Sequence, residues 1–225
     1  MKAMILAAGR GERMKPLTDV TPKPLLKVRG RPIIEWTVER LARGGIVELV
    51  INHSHQGALI ESALGDGSRL GVSIRYSPEK DALETAGGIA KALPLLVPGP
   101  FVAVTGDILC DFDFATLRTR ELGGGLTHLV LVANPAHHPE GDFALRGEQV
   151  RDDGAPRWTF SGIGLYRPEL FESVRPGDKA KLAPLLRAAM ARGLVTGEIH
   201  SGQWHDIGTP ERLDDLNRNV GAHPA

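Results

Sequence analysis

Apolar positions along the chain change period repeatedly, and each change predicts an element. Lys2–Ala8 is an unbroken apolar run stopped by Gly9, which predicts a strand buried on both faces. Ile33–Arg43 carries apolar residues at helical spacing and stops at Gly44-Gly45. Val47–Asn52 reads as a strand, Gln56–Leu64 as a helix closed by Gly65, and Val72–Tyr76 as a strand. Thr85–Leu93 predicts a short helix with Glu84 or Thr85 as its N-cap, and Phe101–Thr105 another buried strand. Further on, Phe114–Glu121 reads as a helix that Asp111 or Asp113 is placed to cap. His128–Ala133, Phe143–Val150 and Thr159–Tyr166 read as strands, the last two separated by the turn-rich 152–156. Pro168–Val174 and Leu182–Arg192 read as helices, Val195–His200 as a short strand, and Pro210–Asn219 as a terminal helix with Pro210 in its first turn.

Strands alternating with helices predict an α/β fold with a mainly parallel sheet. No linker, low-complexity tract or internal repeat interrupts the chain, so residues 1–225 are expected to form one domain. In particular no hexapeptide repeat follows the α/β part, so no β-helix tail is expected.

Composition narrows this little. Lys and Arg number 27 against 27 for Asp and Glu, so nothing global favours a nucleic-acid or membrane partner. Any positive potential must be local. The one cysteine, Cys110, cannot form an internal disulfide and reads as a small, half-buried apolar residue. The opening apolar run is too short for a signal segment or a membrane span. A soluble cytoplasmic protein is expected.

Candidate chemistry begins at Gly9-Arg10-Gly11, just after the first buried strand. Glycines there let backbone N–H groups approach an anion at the carboxyl edge of a parallel sheet. A dinucleotide fingerprint requires G-x-G-x-x-G opening into a helix. Here Met14 takes the third position, and Pro16, Pro22 and Pro24 prevent a long helix. The P-loop string is absent. The segment is therefore an extended loop that carries cations. Arg13 and Lys23 lie ten apart, so only a folded-back loop brings both to one phosphate chain. Arg10, Lys15 and Lys27 read as solvated.

Leu6–Thr18 (LAAGRGERMKPLT), followed by Pro22-Lys23-Pro24-Leu25, resembles the signature of the sugar-1-phosphate nucleotidyltransferases. The resemblance implies a loop that wraps a nucleoside triphosphate, with Ala8, Gly9, Gly11 and Glu12 along it and Arg13 and Lys23 on the phosphates. The family pattern has Thr where Glu12 stands. On charge alone a carboxylate is unexpected beside triphosphate. Its backbone N–H is still available, with the side chain turned to base, ribose or solvent.

Asp107 in VTGDIL and Asp206 in WHDIGTP match the family's GD and W-x-D-x-G-T motifs. A strand-end aspartate alone is as often a cap; the resemblance implies that these two jointly hold Mg²⁺. Asp111-x-Asp113 competes, because metal-dependent glycosyltransferases also show D-x-D after a buried strand. Those enzymes lack this Arg/Lys loop, and the pair is better placed to cap the Phe114 helix. His53, His55, His137 and His138 lack a zinc-ligand pattern and read as surface or rim residues. His205 adjoins Asp206.

Glu84-Thr85-Ala86-Gly87-Gly88 corresponds to the family's L-G-T-A-G segment against the nucleobase, which implies nucleotide contacts for Glu84, Thr85, Gly87 and Gly88. Two adjacent glycines in a helix start cost roughly 1 kcal/mol each relative to alanine, which favours a close-approach reason. Asn134–Phe143, with Phe160–Gly164, resembles the branch that uridylylates N-acetylmuramate 1-phosphate. It implies sugar contacts for Asn134, Asp142, Ser161 and Gly162. The Glu-Lys-Pro motif of many relatives is replaced by Ala155-Pro156-Arg157-Trp158, so another cation must hold the sugar phosphate. Arg157 and Lys181 (in KLAPLLR) are both candidates.

The expectation is a Rossmann-like α/β fold, a mainly parallel mixed sheet flanked by helices, with a small β-rich insertion on the sugar side. Arg13, Lys23 and Asp107 are the expected catalytic residues. The expected reaction is Mg²⁺-dependent uridylyl transfer from UTP to N-acetylmuramate 1-phosphate, by a monomer. Mannose- or glucose-1-phosphate with GTP, dTTP or UTP is the alternative. A nucleotide-sugar glycosyltransferase or a catalytically dead sensing domain fits less well, since Arg13, Lys23, Asp107 and Asp206 are all present.

Overall fold

The structure, a computed structural model, describes residues 1–219. The first half contains β1 (Lys2–Leu6), β2 (Lys27–Val28), β3 (Arg31–Pro32), α1 (Ile33–Arg43), β4 (Glu48–His53), α2 (Gly57–Leu64), β5 (Ser73–Pro78), α3 (Glu84–Leu96) and β6 (Phe101–Thr105). Then follow β7 (Ile108–Cys110), α4 (Phe114–Thr119), β8 (Thr127–Val132), β9 (Phe143–Arg146), β10 (Gln149–Arg151) and β11 (Arg157–Tyr166). The last elements are α5 (Leu182–Ala191), β12 (Val195–Ile199), β13 (Trp204–Asp206) and α6 (Pro210–Asn219).

Nine strands form one sheet in the order β5-β4-β1-β6-β11-β8-β12-β10-β9. The neighbours β5, β4, β1 and β6 run parallel. β11 enters antiparallel between β6 and β8, and β12 joins β8 in parallel. The sheet is thus mixed, with its parallel half built by the first half of the chain. β1 alternates sides: Ala3 and Ile5 pack with α1, α2 and α4, whereas Met4 packs with α3 and α5. That two-sided burial is why its sequence is apolar throughout. A third cluster joins Met14 and Leu26 of the glycine-rich segment to Ile207, Leu213 and Leu216, which seats α6 beneath that loop.

Several expected elements change. Phe143–Val150 is not one strand but the hairpin β9–β10, turned at Gly147 with φ of +58°. This hairpin also pairs with β11 and β12, which supplies the β-rich insertion. Pro168–Val174 shortens to a 3₁₀ turn over Pro168–Phe171. Neither Glu84 nor Thr85 caps α3. The cap position is Leu83, without a side-chain bond, and the Ala180 carbonyl accepts from Ala86 and Gly87 N–H instead. The same helix runs on to Leu96, past Pro94, because a proline in the last turn removes only one late hydrogen bond. Asp113 does cap α4, accepting from Ala115 N–H at 3.0 Å.

Cys110 is buried, and burial pushes its thiol up to about 11, well above the range in which a thiolate forms at neutral pH.

Candidate active site

The chain runs from β1 outward to β4 and β5, then returns to β6 on the other side of β1. This is the reversal at which open α/β sheets leave a crevice beyond the strand ends. Two clefts open there, of about 430 Å³ and about 630 Å³. Leu6, Arg13, Glu84, Thr85, Thr105 and Asp107 line both, so the clefts meet at the ends of β1 and β6 and at the start of α3.

The first cleft is walled by the glycine-rich loop. Ala8, Gly9, Gly11, Glu12, Arg13 and Lys23 all line it. Gly11 has φ of +65° and ψ of 34°, a conformation that side chains disfavour. There the loop folds back: the Thr18 hydroxyl donates to the Gly11 carbonyl at 2.9 Å, and Lys23 packs against Gly11. Fold-back is what brings Arg13 and Lys23 to one cleft across their separation in sequence. Asn52, buried under the loop, accepts from Ala7 N–H at 2.9 Å and donates to buried Glu79 at 2.7 Å. Glu79 accepts in turn from Leu83 N–H at 2.9 Å. One carboxylate thereby fixes both the loop start and the approach to α3.

Glu12 turns to solvent, where it pairs with Lys15 at 3.0 Å. The Lys15 ammonium holds the Glu12 carboxyl below its ordinary range. Glu84 lies at φ of +61°, a value that a β-carbon disfavours. Gly87 and Gly88 line neither cleft. A β-carbon on Gly87 would collide with the Asp178 carbonyl, and one on Gly88 would lie 2.7 Å from Asn52 Nδ2 and Glu79 Oε1. Their close approach is to the chain's own backbone and to the Asn52–Glu79 pair.

The second cleft takes Asp142, Ser161, Gly162, Lys181 and Asp206, with Ile89, Tyr166 and Leu186 among its apolar residues. Ser161 and Gly162 sit where the β8–β11 register slips. Gly162 has φ of +82°, and Ser161 Oγ donates to the Val130 carbonyl at 2.7 Å while accepting from Ile163 N–H at 3.1 Å. A bulge at this point tilts the strand so that both residues face the cleft. Asp142 accepts from Phe160 N–H at 2.8 Å and approaches His138 Nε2 at 3.2 Å. Asn134 lines neither cleft: it donates to the Pro139 and Arg157 carbonyls and accepts from Thr159. Arg157 is likewise occupied, donating to the Asp152 and Asp142 carbonyls. Of the two candidate cations, Lys181 alone lines the cleft.

Asp107 and Asp206 come together through the β7–β13 ribbon. Asp206 pairs in register with Ile108, and Ile207 N–H donates to the Asp107 carbonyl at 2.9 Å. Lys23 bonds the Asp107 carboxylate, and Arg212 bonds that of Asp206 at 2.6 Å. Among the described residues no group of three or more His, Cys, Asp or Glu is arranged to hold a metal. Two carboxylates beside a cationic cleft are the donor set of a hard cation that draws its other ligands from phosphate and water. Asp111 lies away from both clefts, bonded to His200 at 2.8 Å. His205 is half-buried, and that burial lowers its pKa against the opposing pull of Asp206 and Asp111.

A family model described as Nucleotidyl transferase matches residues 2–143. The chain belongs to the nucleotidyl transferase family. This nucleotidyltransferase is 54% identical over 229 residues to the N-acetylmuramate alpha-1-phosphate uridylyltransferase of Neisseria meningitidis serogroup B, covering 99% of each chain. It is 31% identical to the UTP–glucose-1-phosphate uridylyltransferase of Synechocystis, over 92% of this chain and 60% of that enzyme. Among solved structures, a Bacillus anthracis protein assigned as a glucose-1-phosphate thymidylyltransferase, crystallised with sucrose, superposes with a TM-score of 0.84. At 24% identity, over 99% of this chain and 97% of that one, it establishes the fold. Nucleotidyltransferases of this family generally use a divalent metal. No helix among the described residues is long and apolar enough to cross a membrane.

The sequence did not single out Asn52, Glu79, Lys179 or Arg212. Lys179 lines the first cleft and Lys181 the second, from opposite sides of Ala180. The alternating lysines of Lys179-Ala180-Lys181 were the available signal.

Proposed function

We propose that this enzyme transfers the uridylyl group of UTP to N-acetylmuramate 1-phosphate, giving the UDP-sugar and pyrophosphate, with Mg²⁺ as the metal. The observation that carries this reading is the meeting of the two clefts at Arg13, Thr85 and Asp107. One cleft suits the triphosphate and the other the sugar phosphate, and the shared wall is where phosphorus changes partners. The similarity to the Neisseria enzyme supports the choice of base and sugar.

A sugar-phosphate oxygen attacks the α-phosphorus in line. A new P–O bond forms there, and the α–β bridging P–O bond breaks as pyrophosphate leaves. The attacking phosphate dianion needs no base at neutral pH, so catalysis rests on positioning and charge stabilisation. Arg13 meets developing charge at the transferred phosphoryl group, Lys23 holds phosphate, and the loop glycines offer backbone N–H donors. Lys181 meets the sugar phosphate. Bound by Asp107 and Asp206, Mg²⁺ would neutralise phosphate charge and ease departure of pyrophosphate. We also place the enzyme in the cytoplasm as a monomer.

The assay is pyrophosphate release from UTP over a panel of sugar 1-phosphates. Release with N-acetylmuramate 1-phosphate above all others is expected; no release with any sugar would reject the proposal. Lys181→Ala is expected to raise KM for the sugar phosphate by roughly tenfold or more, the worth of one charge-assisted contact, and to leave KM for UTP unchanged. Arg157→Ala should instead lower the melting temperature, since its bonds hold the Asp142 and Asp152 segments together. Glu12→Thr is expected to leave both melting temperature and UTP affinity unchanged, because the Glu12 side chain, although at the rim of the first cleft, is mostly exposed and pairs with exposed Lys15. A loss of UTP affinity in that variant, read by calorimetry, would place the Glu12 side chain on the nucleotide.

A further inference from the structure

Both candidate metal carboxylates already have cationic partners from the protein. Lys23 holds Asp107, and Lys23 is a phosphate-binding residue in the proposed reaction. The arrangement at Asp206 is separate. Arg212 Nη1 lies 2.6 Å from Asp206 Oδ2 and 2.8 Å from His137 Nε2. Arg212 Nη1 thus sits between the Asp206 carboxylate and the His137 imidazole. The same His137 nitrogen lies 3.1 Å from Asp206 Oδ1.

Arg212 stands in the first turns of α6, a helix anchored by buried Leu213 and Leu216. Asn217 ties the same helix to the Lys27 carbonyl at 3.2 Å and to Arg29 N–H at 2.8 Å. The guanidinium is therefore delivered by a fixed element. It also borders Gly208, whose absent side chain leaves room between Arg212 and Arg13.

We propose that Arg212 is a positioning residue that reserves Asp206 until metal and nucleotide arrive together. The inference rests on the nucleotidyl-transfer reading of the site. A divalent cation that enters alone must displace Arg212 from Asp206, and the released guanidinium is then left beside the cation's own charge. When triphosphate enters with the cation, its oxygens supply that receiver. Metal and nucleotide then each strengthen the binding of the other by more than their direct contact. His137 helps hold Arg212 in the reserved position.

The probe is Mn²⁺, titrated by electron paramagnetic resonance into the metal-free protein without nucleotide. Arg212→Gln is expected to bind Mn²⁺ roughly tenfold tighter than the wild type, since one charge-assisted competitor is gone. Arg212→Lys should restore most of the weaker wild-type affinity. A non-hydrolysable UTP analogue should tighten Mn²⁺ binding less in Arg212→Gln than in the wild type. In an Asp206→Asn background the Arg212→Gln gain should vanish. His137→Ala should shift Mn²⁺ affinity in the same direction by a smaller factor, a second variant should Arg212→Gln fail to fold. Unchanged or weaker Mn²⁺ binding in the folded variants, or a gain that persists without Asp206, would overturn the inference. Wild-type turnover of UTP is read separately. Failure of the transfer reaction would thus be distinguishable from failure of the reserve.

Discussion

Asp107→Asn is expected to lower kcat by roughly 10³-fold, while Asp111→Asn leaves it nearly unchanged. The two residues are close in sequence and both follow a buried strand. Their surroundings differ. Asp107 lines both clefts, stands beside Asp206 across the β7–β13 ribbon, and meets Lys23. Asp111 accepts from His200 and lines neither cleft. Neutralising Asp107 removes half of the carboxylate charge that can hold a divalent cation and leaves the nearly buried Lys23 ammonium without its counter-ion. The second effect should show as a lower melting temperature, and the first as lost turnover that added Mg²⁺ recovers only in part. Steady-state kinetics over a Mg²⁺ series separates them. The reverse ranking, with Asp111 essential and Asp107 dispensable, would favour transfer from a nucleotide-sugar donor and would reject the assignment.

Gly11→Ala should cost about 1–3 kcal/mol of stability and also raise KM for UTP. The backbone at Gly11 has φ of +65°, and a β-carbon there would lie 2.8 Å from Thr18 Cγ2 and 3.2 Å from Lys23 Cβ. Those neighbours are the returning arm of the loop. Making room moves Lys23 away from the cleft, so stability and phosphate binding fall together. Gly9→Ala provides the contrast. Nothing lies within 4 Å of a β-carbon at Gly9, so the fold should keep its melting temperature. That open space faces the cleft, so nucleotide affinity should fall. Thermal melting and nucleotide titration of the two variants test the loop as a folded clamp. Equal melting temperatures for both would contradict it.

What the sequence made legible divides by the range of the interactions. The residues of α1 were readable in full because its apolar spacing and Gly44 stop are local signals. The loop was readable because prolines and glycines constrain their own backbone. The pairing of Asp107 with Asp206 was readable only through motif resemblance, since a single strand-end aspartate carries no local mark of which distant residue it will stand beside. The β9–β10 hairpin was missed because its turn, Gly147-Glu148, lies inside an otherwise strand-like run. Gly87 and Gly88 were read as close-approach positions against a nucleobase, and the structure shows a β-carbon at either meeting the chain itself. Their neighbours, Asp178, Asn52 and Glu79, are distant in sequence, and spacing alone cannot place them there. Arg212 was missed although Asp206 lies only six residues before it, because the packing of α6 decides which acceptor its long side chain meets.

In the proposed reaction, phosphorus changes partners at the wall that the two clefts share. The direct measurement follows UTP labelled at the α-phosphorus, incubated with N-acetylmuramate 1-phosphate and Mg²⁺. The label is expected in the UDP-sugar, with unlabelled pyrophosphate formed in equal amount. Label released as UMP, or no labelled sugar product while the protein remains folded, would contradict the account.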